Sequence, residues 1–261
     1  MDISLARHAF ITGGASGLGQ GIAEALAARG VRVTIADVNE DALAVLLAAQ
    51  GNSFRGAVLD VRDRDGWQRA KAEAEAAFGP VDILVNNAGI APNGKGFADM
   101  DPASFDRIIA INLVGVFNGV SAFAADMRKR GRGHIVNTSS QAGLTAAIPG
   151  VGAYAAAKFG VTAISESLRH ELAPHGIGVS VLCPGYVQTN LAANTARIGG
   201  DLNSSGTAMP ESTVSPADVG AMVLRGIADD APYIITHPGV WRSMEKRLAE
   251  IRTACDAVAA A

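Results

Sequence analysis

Short, uninterrupted apolar runs recur through the 261-residue chain, with helix-length patterns filling most of the stretches between them. The runs cover residues 8–11, 32–36, 56–59, 83–85, 134–137, 179–182 and 233–235. A strand that is apolar on both sides must be covered on both sides, which a half-solvated antiparallel sheet cannot offer. Helical patterns over residues 19–29, 67–78, 104–129 and 154–173 supply the cover and return the chain to lay each strand parallel to the last. The expected fold is α/β: a single-domain, Rossmann-type doubly wound sheet of about seven parallel strands with helices on both faces.

The composition suits one such domain over residues 1–261, with 49% hydrophobic and 18% charged residues. A net charge of −3 gives no basic footprint, so neither nucleic acid nor a membrane surface is an expected partner. No uninterrupted apolar stretch reaches the ~20 residues of a membrane span, and no secretory leader precedes the first run. Cys183 and Cys255 have no metal-ligand spacing, so no metal is expected, and a reduced cytoplasmic setting is.

The first run leads into Thr12-Gly13-Gly14-Ala15-Ser16-Gly17-Leu18-Gly19 and then a helix. Glycines there let the chain turn tightly and bring backbone N–H groups to a pyrophosphate, which the helix N-terminus also attracts. Asp37 ends the second run, where a carboxylate accepts hydrogen bonds from adenosine ribose hydroxyls and repels a 2′-phosphate. With Ser16 and no arginine in the turn, the expected cofactor is NAD, not NADP.

Tyr154 and Lys158 stand four apart and share one helix face, with Asn137-Thr138-Ser139-Ser140 upstream. An ammonium ~4 Å from the phenol would lower its pKa by roughly three units before desolvation, toward the range a general base needs.

Taken together these residues resemble the short-chain dehydrogenase/reductase (SDR) family, over nearly the whole chain through about Thr189. The resemblance implies that Gly13, Ser16, Gly17, Leu18 and Gly19 hold the cofactor and that Asp60 and Val61 contact its adenine. It implies that Asn86, Ala88 and Gly89 steady the sheet beside it, and that Pro184, Gly185, Val187 and Thr189 wrap its nicotinamide. It makes Tyr154 the acid/base, with Lys158 lowering its pKa and holding the nicotinamide ribose. Ser140 binds the carbonyl or alkoxide oxygen, and Asn112 belongs to a water-linked proton relay to Lys158. The family serine usually lies thirteen residues before the tyrosine, whereas Ser140 lies fourteen before Tyr154. One extra residue within 143–152 would account for this; Ser139 is the alternative. Gln141 and Tyr186 flank the expected substrate position.

Residues 190–215 are rich in Gly, Asn, Ser and Thr and are expected to form a substrate-binding loop, with a helix start at Ser215-Pro216-Ala217-Asp218. A C-terminal helix over 240–261 carries Met244, Leu248, Ile251, Cys255 and Val258 as a stripe expected to pack on the core or on a second subunit. The ending at Tyr233-Ile234-Ile235-Thr236-His237-Pro238 is similar to a bacterial subgroup that includes dehydrogenases of aromatic secondary alcohols. Family resemblance also implies a homodimer or homotetramer built from the helices at 104–129 and 154–173. The expected function is hydride transfer between NAD and a small, uncharged secondary alcohol or ketone. A dinucleotide-binding regulator without turnover and a non-redox epimerase or dehydratase are the competing readings.

Overall fold

In a computed structural model, which describes residues 1–197, 199 and 214–259, seven strands form one sheet. They are β1 (His8–Thr12), β2 (Arg32–Asp37), β3 (Phe54–Val58), β4 (Ile83–Asn86), β5 (Gly133–Thr138), β6 (Ile177–Cys183) and β7 (Tyr233–Ile235). Their order is β3-β2-β1-β4-β5-β6-β7, and every pairing is parallel. The strand order reverses between β1 and β4, which opens a crevice at the carboxyl ends of those strands.

Side chains alternate across the sheet, so β1 feeds two cores. Ala9 and Ile11 pack with α1 (Gly17–Ala27), α2 (Glu40–Ala49) and α8 (Pro216–Ala228). Phe10 faces α3 (Arg64–Phe78), α5 (Gly115–Arg130) and α6 (Gly152–Leu172). There Phe10, Trp67 and Phe123 form a ring cluster with centroids 5.1 to 6.3 Å apart. Fully burying such side chains stabilises the fold by about 1.5–3 kcal/mol each. On the first side, α1 and α8 meet backbone to backbone. A Cβ on Gly21 would lie 2.2 Å from the Pro216 carbonyl oxygen, so only glycine fits.

α8 starts where its sequence signals put it, with a capping box between Ser215 and Asp218 and Pro216 in its first turn. Other elements depart from expectation. α2 is an additional helix, capped by the Asn39 side chain. The helix expected over 104–129 is instead α4 (Pro102–Ile109), a π-helical turn at Ala110–Val114, and α5. Together, residues 102–130 have the length and composition of a membrane span, yet most of the apolar window is buried within the fold, as in a core helix. The expected loop opens with a helix, α7 (Leu191–Arg197); of its remainder, 198 and 200–213 lie outside the described residues. The tail helix, α9 (Trp241–Ala259), has no buried residue. Met244 packs against Leu144, Val181, Cys183 and Val240, but Leu248, Ile251, Cys255 and Val258 are exposed, so the stripe does not pack on the core.

Candidate active site

The glycine turn is built around close approaches to the end of β4. Gly13 has φ +61°, and a Cβ there would lie 2.8 Å from Ala88 Cα. One on Gly19 would lie 2.3 Å from the Gly13 carbonyl oxygen. Asn87 clamps the turn, donating from Nδ2 to the Thr12 and Gly13 carbonyls at 3.0 and 3.2 Å. Thr12 Oγ1 in return accepts the N–H groups of Asn87 and Ala88, both at 3.0 Å. Asp37 holds the other side, accepting the Ala15 N–H at 3.1 Å and the Asn39 N–H at 3.0 Å.

Ser16 occupies the N-cap of α1 but makes no capping bond; its Oγ accepts from Asn194 Nδ2 at 3.0 Å. The first-turn N–H groups of α1, which have no partners within the helix, are thus left to an anion. A pyrophosphate suits these N–H groups, and glycine at 13 and 19 is what lets the turn close on itself and on the end of β4. Gly17, with φ +56°, brings Thr189 against the turn: a Cβ there would lie 3.1 Å from Thr189 Cβ. Leu18 and Val187 pack into the core beneath, which seats the two ends of the site on one support.

Asn86, Asp60 and Val61, expected to steady the sheet or to contact adenine, each carry bonds within the protein. Asn86 is buried in the core, with Nδ2 donating to Asn137 Oδ1 at 2.9 Å and Oδ1 without a partner against Gly119. As the last residue of β4 it turns away from the crevice that Asn87 faces. Asp60 pairs with Arg62 at 2.6 Å, which holds its carboxyl below the usual range, so its charge is already matched. Val61 is buried, and its carbonyl accepts from Trp67 Nε1 at 3.0 Å and Asn118 Nδ2 at 2.9 Å.

The second half of the site lies on α6 and the end of β5. Lys158 is only 3% exposed and donates from Nζ to the Thr138 carbonyl at 2.8 Å. Nζ lies 5.6 Å from the centroid of the Tyr154 ring. Burial lowers the Lys158 pKa to about 8, against a smaller opposing effect of Cys183. Burial pushes the Tyr154 phenol up, and the neighbouring Ser140 side chain pulls it partly back. That direction is opposite to the lowering expected from sequence, because desolvation by burial dominates.

Ser140 is the serine that reaches the tyrosine. Ser139 faces the core, donating to the Lys158 carbonyl at 2.8 Å and sharing a hydrogen bond with Thr162 at 2.9 Å. Between Ser140 and Tyr154 the chain turns through Gly150, which has φ +78° and packs on Gly94.

Asn112 sits in the π-helical turn, fully buried, with its amide bonded to the Ile90 N–H at 3.1 Å and the Ile90 carbonyl at 3.2 Å. Such turns are frequent at functional sites. A Cβ on Gly89 would lie 2.6 Å from Asn112 Oδ1 and 3.6 Å from Lys158 Nζ, so these three residues converge.

The segment after β6 closes the site. Gln141 N–H donates to the Pro184 carbonyl at 2.9 Å, and its side chain donates to the His237 carbonyl at 2.9 Å. Gly185 N–H donates to Thr236 Oγ1 at 3.0 Å. Gln141 therefore ties the serine segment to the chain after β7, and Tyr186 stands half-buried beside it. Sequence reasoning left Asn87, Thr138 and Thr195 without roles. Thr195, on α7, accepts the Ala91 N–H at 2.9 Å and so pins the expected substrate loop to the strand β4 exit. Asn87 stands between Asn86 and Ala88, which the resemblance did single out, whereas the Thr138 carbonyl and Thr195 carry no sequence signal.

A family model for the short chain dehydrogenases matches residues 7–197. The chain is 34% identical to a C alpha-dehydrogenase of Sphingobium sp. (strain NBRC 103272 / SYK-6), over 93% of this chain and 84% of that protein. It is 36% identical to the oxidoreductase UcpA of Salmonella typhimurium, over 87% of this chain and 90% of that one. Among solved structures, a short chain dehydrogenase/reductase from Burkholderia phymatum in complex with NAD superposes with a TM-score of 0.87. It is 31% identical, with 97% of each chain covered. With the turn, the tyrosine, the lysine and the sheet order in place, the chain belongs to the short chain dehydrogenase family.

Proposed function

We propose that this protein is an NAD-dependent oxidoreductase acting on a small, uncharged secondary alcohol or its ketone. The observation that carries the reading is the placement of Ser140 and Tyr154 side by side, with the buried Lys158 at the tyrosine ring. The uncapped N-terminus of α1 and the Asp37 carboxylate suit the pyrophosphate and the adenosine ribose of NAD, and the Burkholderia neighbour holds that cofactor. When bound, NAD supplies the hydride acceptor for oxidation, and NADH the donor for reduction.

The residues of this chain do the rest. Ser140 orients the substrate oxygen, and Tyr154 takes the hydroxyl proton in oxidation or returns it in reduction. Lys158, with a pKa of about 8, is mostly an ammonium at neutral pH and offsets charge developing on the phenol. Gly89 and Asn112 keep its surroundings fixed, and a water-linked relay from Lys158 past Asn112 belongs to this reading. Orientation contributes more than the proton transfer alone. The resemblance to a C alpha-dehydrogenase supports a secondary alcohol, and an aromatic one extends that reading. A homodimer or homotetramer through α5 and α6 also belongs to it; Phe117 of α5 is half exposed, and a monomer by light scattering would oppose this.

The test is NAD- and NADP-linked turnover over aliphatic, alicyclic, steroid and aryl secondary alcohols. NAD-linked turnover that disappears in Tyr154→Phe is the expected result, and Asp37→Ser is expected to move the preference toward NADP. Turnover with NADP alone, or full activity in Tyr154→Phe, would overturn the reading.

A further inference from the structure

We propose a second binding site, for a small polyanion, at the amino-terminal edge of the sheet. Arg7 immediately precedes β1, Arg32 opens β2, Asp82 precedes β4, Arg132 precedes β5, and Arg130 ends α5. With Phe78, these residues line a cavity of about 470 Å³, within the range of small-molecule sites. The strands rise about 3.3 Å per residue, so a five-residue strand separates this cavity by roughly 16 Å from the glycine turn at the opposite edge. The site is therefore not part of the crevice described above.

Four guanidinium groups and one carboxylate line the cavity of a chain whose net charge is −3. The carboxylate is already satisfied: buried Asp82 accepts from Arg132 at 2.7 Å on one oxygen and from the Arg7 N–H at 2.8 Å on the other. His8, buried just behind, is kept neutral by burial and adds no charge. Glu75 accepts the Val81 N–H at 3.3 Å and is not among the lining residues. Three guanidinium groups thus face the cavity without a carboxylate.

Two of them are anchored and yet largely free. Arg32 donates one bond to the Phe78 carbonyl at 2.8 Å and lies over the Phe78 ring at 5.1 Å. Arg130 donates one bond to the Val81 carbonyl. A guanidinium offers five donors, so a single anchoring bond fixes the group and leaves the others for a ligand. The Arg7 side chain makes no hydrogen bond among the described residues. Like charges gathered this way repel one another unless an anion sits between them. Planar guanidinium forks bind phosphate or carboxylate oxygens in pairs, so three of them suit a ligand with at least two anionic groups.

The test is isothermal titration calorimetry at constant ionic strength, on protein saturated with NADH so that the glycine turn is filled. Inorganic pyrophosphate is the first probe and citrate the second. The expected result is one equivalent bound, weakened by about tenfold or more in Arg7→Gln/Arg130→Gln, with NADH affinity unchanged. Tighter pyrophosphate binding assigns a phosphate ligand, and tighter citrate binding a polycarboxylate. Arg7→Gln alone, which removes no side-chain hydrogen bond, keeps the test available if the double variant fails to fold. No binding of either probe, or affinity unchanged in these variants, overturns the proposal.

Discussion

Ser139 donates its hydroxyl hydrogen to the main-chain carbonyl of Lys158 at 2.8 Å, which locks the end of β5 to the helix that carries the tyrosine. Its neighbour Ser140 turns the other way, to the Tyr154 phenol. The two adjacent serines should therefore fail differently. Ser140→Ala is expected to lower kcat by about 10²–10³ and, by losing its bond from the Ala142 N–H at 3.1 Å, to cost about 0.5–2 kcal/mol of stability. Ser139→Ala takes one of two hydroxyl donors from the Lys158 carbonyl, which keeps Thr162 at 3.1 Å, and is expected to cost about 0.5–1.5 kcal/mol of stability. Steady-state kinetics and thermal melts on both variants decide this; equal kinetic losses would contradict the assignment.

Tyr154→Phe keeps the ring beside Lys158 and removes only the hydroxyl. Turnover is expected to fall by about 10²–10⁴ while NADH binding, read by fluorescence, is retained. Loss of NADH binding in parallel would mean that the ring, not the proton, is what the site needs.

Gly19→Ala would place a methyl 2.3 Å from the Gly13 carbonyl oxygen and 2.7 Å from the Asn87 amide nitrogen that clamps the turn. NADH affinity is expected to fall by about tenfold or more, since the turn must open. Gly51→Ala, where nothing stands within 4 Å, is the matched control and should bind NADH as the parent does. An unaffected Gly19→Ala variant would show that the turn tolerates side chains.

His134 is buried on β5, with Nε2 bonded to Ser180 at 2.9 Å and Nδ1 unpartnered, 4.0 Å from Asp230. Burial lowers its pKa to about 4 from 6.5, against the attraction of Asp230 and with Arg169 adding to the shift. The folded state thus binds this proton less readily than the unfolded one. Stability is full above pH 6.5 and is lost as the pH falls toward 4, by about 2 kcal/mol at pH 5. Urea unfolding at pH 7 and pH 5 should show that loss shrinking in His134→Gln. The same pH slope in the variant would assign the loss to other groups, such as His8, whose pKa burial also lowers.

The parts legible in the sequence were those fixed by short-range chemistry. Seven apolar runs became seven strands because a doubly covered strand leaves no other pattern. Gly13 and Gly17 announced their positive φ, and Ser215 with Asp218 announced a capping box. What the sequence could not display was direction and partner. Asn86 and Asn87 are identical letters, but alternation along β4 points one into the core and the other to the turn. The helical spacing of α9 was readable, and the exposure of Leu248 and Ile251 among the described residues was not. α7, seven residues long, is too short for its period to stand out from a polar loop. The arginine cavity gathers residues 7, 32, 130 and 132, which are neighbours only once the strands are ordered.

The π-helical turn at Ala110–Val114 amounts to one residue more than an α-helix would hold. Winding the same residues as a regular α-helix would remove the irregularity, and regular helices are easier to form. It would also rotate everything downstream by about 100°, the angle of one residue in 3.6 per turn. Val116, Val120, Phe123 and Met127 would then swing from the core toward water, and Asn112 would leave Ile90. The hydrophobic phase of α5 has been written around the irregularity, so the aim of one asparagine is insured by the burial of four large side chains. A chain drifting under mutation could lose that asparagine by substitution, but at constant length it could not straighten the turn without swinging those side chains out of the core.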